Sequence, residues 1–159
     1  MAIVRINFPE FKNLASDLVR KGDPLAIANQ AREVIRRRTK NGMGVYGGQL
    51  KRLPKLTTFT VQSRREYARG GRTGEFFSPG RSNLTLTGQL LNSMRTKERG
   101  SKAAIIEISN EKRSDGLTNR QVNISLERRG FRFFGLSEGE VRILIDSYRK
   151  VIESRIGRA

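Results

Sequence analysis

The chain has 159 residues with 32 Lys and Arg against 15 Asp and Glu, a net charge of +17, and neither Cys nor His. That composition excludes thiol and imidazole nucleophiles, the usual zinc sites and any disulfide framework, while a chain this long buries ~70% of its unfolded surface as one domain. No stretch approaches the ~20 apolar residues of a membrane span, and position 1 onward lacks the apolar core of a signal peptide, so a soluble protein is expected.

Val4-Arg5-Ile6-Asn7-Phe8 alternates like a short strand. Pro9 suits a first helical turn, and Phe11, Leu14, Ala15 and Leu18 make one apolar face up to Gly22. Asp23-Pro24 is a second start signal, with Asp23 as N-cap, and Ile27, Ala28, Ala31, Val34 and Ile35 carry the next stripe. This helix closes in Arg36-Arg37-Arg38-Thr39-Lys40 before Asn41-Gly42. Cations there favour the negative end of the helix dipole at ~0.3–1 kcal/mol each, so the plain reading is a solvated terminus. The sharper reading is a contact for DNA or for an acidic neighbour.

Residues 40–83 change character: they hold half of the 16 Gly and nine Lys/Arg against two Glu. Leu53 to Thr58 is expected to start a short helix through Phe59, Val61 and Tyr67, and the remainder to be loop. So long an irregular segment is unusual unless functional or disordered. The expectation is a flexible Gly/Arg-rich basic arm at about 40–83 that orders on another subunit or partner. Gly42 to Gly47 matches GxGxxG, but it follows a basic helical run where the dinucleotide motif follows a strand, so no cofactor is expected. Arg69-Gly70-Gly71-Arg72 is a single RGG-like copy, equally explained by loop composition.

Leu84 to Met94 reads as a short helix capped by Thr87, with Leu90, Leu91 and Met94 buried. Ala103 to Ser109 is the strongest strand, and Asn110 to Gly116 a polar turn. Val122, Ile124 and Leu126 alternate like a strand, while Val122, Leu126 and Arg129 also fit a helix; Thr118 as cap and Gly130 as terminator favour the helix. Ser137 and Glu140 form a capping box, with Leu136 and Val141 spaced as a staple. Val141, Leu144, Ile145, Tyr148, Val151, Ile152 and Ile156 then make the clearest stripe in the chain, ended by Gly157.

Without His or Cys, catalysis would need paired carboxylates, a Ser–Lys pair or a carboxylate-bound metal. Only Asp17, Asp23, Asp115 and Asp146 are present, and Glu138 and Glu140 are explained by a helix start. No catalytic residue, cofactor or metal ligand is assigned, and the chain reads as no enzyme. The charge attracts nucleic acid, acidic membranes or acidic protein faces, and nucleic acid is weighed first. A base-stacking platform would have to use Phe and Tyr, for there is no Trp.

In this order the segments resemble the virion-morphogenesis, or tail-completion, family of long-tailed bacteriophages, including Mu-like and P2-like phages. The resemblance rests on the N-terminal strand, paired helices and Arg cluster, and on Gly48-Gln49-Leu50-Lys51-Arg52-Leu53 followed by Thr57 or Thr58. It rests also on Leu86-Thr87-Gly88-Gln89-Leu90-Leu91-Asn92-Ser93 and, most specifically, on Arg129-Gly130-Phe131-Arg132-Phe133-Phe134-Gly135-Leu136-Ser137 before the last helix. The family commonly has Arg-Pro-Phe-Leu-Gly-Leu-Ser there; Phe131-Arg132 stands in place of its Arg-Pro.

The resemblance implies a single α+β domain over residues 1–159, with a small antiparallel sheet packed by a long helix, N-terminal helices and the basic arm. It implies a structural virion protein of the head–tail junction: a homo-oligomer, commonly a hexameric ring, touching the neck or connector and the tail tube, with DNA passing through its lumen. Arg36, Arg37, Arg38, Arg64, Arg65, Arg69 and Arg72 are then the candidate interface, facing acidic neighbours. The alternative is a basic nucleic-acid-binding module.

Overall fold

The computed structural model describes residues 3–5, 20, 22–71, 89–100, 103–113 and 116–156. Its elements are β1 (Ile3–Arg5), α1 (Asp23–Lys40), β2 (Met43–Tyr46), β3 (Gln49–Arg52), α2 (Thr58–Arg69), α3 (Gln89–Asn92), β4 (Met94–Glu98), β5 (Ala104–Ile108), α4 (Asn119–Arg128) and α5 (Glu138–Ile156). The fold is α+β. One antiparallel sheet has the order β1-β5-β4, and β2 and β3 form a separate hairpin.

In the sheet, Ile3 pairs with Glu107 and Met94 with Ile108. Alternation along β5 sends Ala104, Ile106 and Ile108 into the core, where Met94 joins them. The long helix on this sheet is α1, packed on β4 and β5 through Ala28, Ala31 and Ile35, all fully buried. Two alanines at the contact let the helix axis come close to the strands. Thr96 adds a hydrogen bond of 2.7 Å to Asn29. Helix α5 lies on α1, burying Leu144, Tyr148 and Ile152. Helix α4 packs on α3 and β5.

The caps follow local chemistry. Thr118 and Gln121 form a reciprocal capping box at the start of α4, and Gly130 follows that helix with φ +85°. Ser137 Oγ accepts from Glu140 N at 3.3 Å while Glu140 Oε2 accepts from Ser137 N at 2.8 Å. Thr57 Oγ1 accepts from Thr60 N at the start of α2.

Three expectations are corrected. The N-cap of α1 is Gly22, in the left-handed region; Asp23 is the first helical residue and its carboxylate is held elsewhere. Met94 begins β4 and does not extend the short helix, whose cap Thr87 lies outside the described residues. Strand β4 itself was hidden because its outward positions are charged. Residues 43–52 of the expected loop-rich arm are a hairpin, whereas the helix expected from Leu53 to Thr58 onward is α2; 72–83 lie outside the described residues. The helix expected from Pro9 to Gly22 and the end of α5 at Gly157 likewise fall outside them, as does the part of the first strand beyond Arg5.

Candidate functional site

The C-terminal end of α1, the hairpin and the ends of α4 and α5 meet at the segment 129–137. Phe133 is fully buried in the core, with the Phe134 ring edge-on to it at 6.3 Å. The chain then turns at Gly135 so that Ser137 can cap α5. Arg38 reaches this turn from the last turn of α1. Its guanidinium donates to Glu140 Oε2 at 2.6 Å, to the Phe133 carbonyl at 2.5 Å and to the Gly135 carbonyl at 2.6 Å. Both side chains are nearly excluded from solvent, 8% and 10% exposed. Burial pulls the Arg38 guanidinium below its ordinary range, partly offset by the Glu140 carboxylate.

The hairpin docks on the same segment. Val45 N donates to the Arg132 carbonyl at 2.7 Å, Tyr46 Oη donates to the Gly130 carbonyl at 2.6 Å, and Glu138 N donates to the Gly48 carbonyl at 2.9 Å. Gly47 and Gly48 both have positive φ, as a two-residue hairpin turn of the type that matches strand twist requires. Gly44 is needed for space: a Cβ there would stand 2.6 Å from the Arg132 carbonyl oxygen. The GxGxxG match is therefore the exit of α1, a strand and a hairpin turn, with no helix opening on it.

A second tie joins the other ends of the two long helices. Arg155 holds Asp23 through two bonds of 2.6 and 2.8 Å, Tyr148 Oη donates to Asp23 Oδ2 at 2.8 Å, and Arg20 N donates to the same oxygen. The Arg155 bonds hold the Asp23 carboxyl down at about 2 against the opposing effect of burial. Burial and the neighbouring carboxylate push the Tyr148 phenol up to about 12.

The predicted interface cations divide. Arg37, Arg65 and Arg69 are exposed. Arg36 is half-buried, bonded to Glu33 and to Asn92 Oδ1. Arg38 is no surface cation: its charge is committed to Glu140 inside the fold, a partner 102 residues away that no local pattern announces. Arg64 is buried, and burial lowers its guanidinium from the ordinary value. Arg72 lies outside the described residues.

The surface also presents apolar residues. Ile143 is 66% exposed on α5, with Val151 two turns on along the same row, and Phe59 is 77% exposed on α2. Among the described residues no group of three or more His, Cys, Asp or Glu is placed to hold a metal ion, and no helix is long and apolar enough to cross a membrane. What the arrangement offers chemically is a charged and partly apolar surface on a tied frame. Comparison with protein-family models, with curated proteins and with solved structures finds no match.

Proposed function

We propose that the chain is a structural protein of the head–tail junction of a long-tailed bacteriophage, a tail-completion or neck subunit that forms a ring and docks the tail tube to the head connector. The observation that carries this reading is the segment Arg129 to Ser137, the most specific part of the family resemblance. The convergence of α1, the hairpin and α5 on that segment supports it, since a recurrent motif in an assembly subunit is expected where the fold is held together. Exposed Ile143, Val151 and Phe59 are the kind of surface that contacts between subunits cover. Exposed Arg37, Arg65 and Arg69 then face acidic neighbours in the virion.

Light scattering with negative-stain imaging of the purified chain tests the reading. A closed ring without nucleic acid is expected; a monomer at every concentration refutes it. The net charge of +17 favours one competing reading, a basic nucleic-acid-binding module. That reading expects tight duplex binding in a gel shift, with a steep loss on adding salt, and no ring.

A further inference from the structure

Among the described residues, the outer edge of β2 makes one backbone bond to another segment and the outer edge of β3 makes none. Val45 N points away from β3 to the Arg132 carbonyl, so Val45 and Leu50 are a non-hydrogen-bonded pair of the antiparallel ladder. By the same alternation Met43 and Arg52 are non-bonded, and Leu53 N to the Gly42 carbonyl closes the next bonded pair. The N–H and C=O of Leu50 and Arg52 therefore point outward from β3, and no backbone partner meets them among the described residues. All four residues of β3 are exposed. An edge of this kind is a template for an added strand.

Its side chains select what can be added. Between Glu33 and Glu66 the sequence has no acidic residue, and Lys51, Arg52 and Lys55 are exposed on the strand and just after it. Lys51 and Arg52 lie on the edge strand itself. One carboxylate, Glu138, stands at the turn end of the hairpin beside Gly48. Cations on an edge strand repel an identical strand from a second copy, the usual defence against edge-to-edge association. The same cations attract an extended segment that carries carboxylates.

We infer that the outer edge of β3 is a docking site for an acidic, extended segment of another protein, which pairs as a third strand of the hairpin. The backbone groups of Leu50 and Arg52 supply the pairing. Side chains alternate along the strand, so Lys51 takes the carboxylates on one face, while Leu50 and the aliphatic stem of Arg52 take the apolar side chains on the other. Backbone pairing supplies affinity and alternate side chains supply selection, as in other strand-addition complexes.

The probe is a fluorescein-labelled, capped peptide of alternating glutamate and valine, followed by anisotropy with the full chain. Three losses of about tenfold are expected: on N-methylating alternate peptide amides, on replacing glutamate by lysine, and with the Leu50→Pro chain. Leu50→Pro removes only an outward N–H, so its melting is expected to match the parent, while Lys51→Pro removes a bond to β2 and melts lower. If Leu50→Pro fails to fold, the N-methylated peptide alone decides. Equal binding of the methylated peptide, tighter binding of a duplex oligonucleotide than of the peptide, or dissociation of an oligomer by Leu50→Pro each overturns the inference. A monomeric chain that binds the peptide through its amides supports this site and removes the ring; a ring whose peptide binding ignores methylation does the reverse.

Discussion

Replacing Arg38 by Met keeps most of the side-chain volume and removes the guanidinium. Glu140 would lose its cation inside the fold, and the Phe133 and Gly135 carbonyls would lose their donor. Removing one member of a buried ion pair costs ~3–5 kcal/mol, because the other charge stays buried without compensation. At ~2–4 °C per kcal/mol for a chain of this size, Arg38→Met should melt on the order of 10 °C lower. Glu140→Gln keeps an oxygen for the Ser137 amide, so it should cost less, ~1–3 kcal/mol. The double variant should fall short of the sum of the singles by ~1–3 kcal/mol, since both act on one contact. Urea and thermal unfolding followed by circular dichroism give all four corners of the cycle. Arg37→Met, at an exposed neighbour, is the control and should lie within ~0.5 kcal/mol of the parent. An Arg38→Met chain as stable as that control, or a double variant equal to the sum, would refute the argument that this pair ties α1 to α5.

Phe133→Ala should cost ~3–5 kcal/mol in urea unfolding, and Phe134→Ala less, because only the first ring is fully buried; equal losses would mean the second ring is core as well. Gly44→Ala should destabilise more than Gly48→Ala. The first sets a methyl against the fixed Arg132 carbonyl, whereas at Gly48 the close atom is the movable end of Glu138, leaving mainly the ~1–2 kcal/mol of a left-handed residue. Melting curves that rank the two the other way would refute this. The tie at Asp23 gives a pH signature at both extremes. With its pKa lowered from 3.8 to about 2, Asp23 contributes stability that is present above pH 4 and lost as pH falls toward 2. Tyr148, raised from 10 to about 12, contributes stability present below pH 10 and lost as pH rises toward 12. Asp23→Asn should flatten the acid limb of a stability–pH profile, and Tyr148→Phe the alkaline one; unchanged limbs would contradict the assignment.

Elements whose signals are local could be read directly from the sequence. Thr118 with Gln121, Ser137 with Glu140 and Thr57 before α2 each announce a helix within four residues. Ala104 to Ile108 announces a buried strand by its apolar run. The hairpin was missed because only Met43, Val45 and Leu50 are apolar in it, although Tyr46-Gly47-Gly48-Gln49 carries a hairpin turn signal. Strand β4 was missed because Arg95, Lys97 and Glu98 leave too little alternation to see. At the candidate interface, Arg38 looked like its neighbours Arg36 and Arg37 because a charge run gives no hint of which member turns inward. Its difference lies in Glu140 and two carbonyls far along the chain. Asp23 misled for the opposite reason: the local rule for a cap was satisfied, and a distant Arg155 outcompeted it for the carboxylate.

The ties that close this fold are all long in sequence. Ile3 pairs with Glu107, Arg38 meets Glu140 across 102 residues, and Asp23 meets Arg155 across 132. Each of these contacts closes a loop of about a hundred residues or more before it returns any stability, so closure is a slow step of folding. Until then the face of α1 that meets α5 stays uncovered, an apolar helix surface open to aggregation.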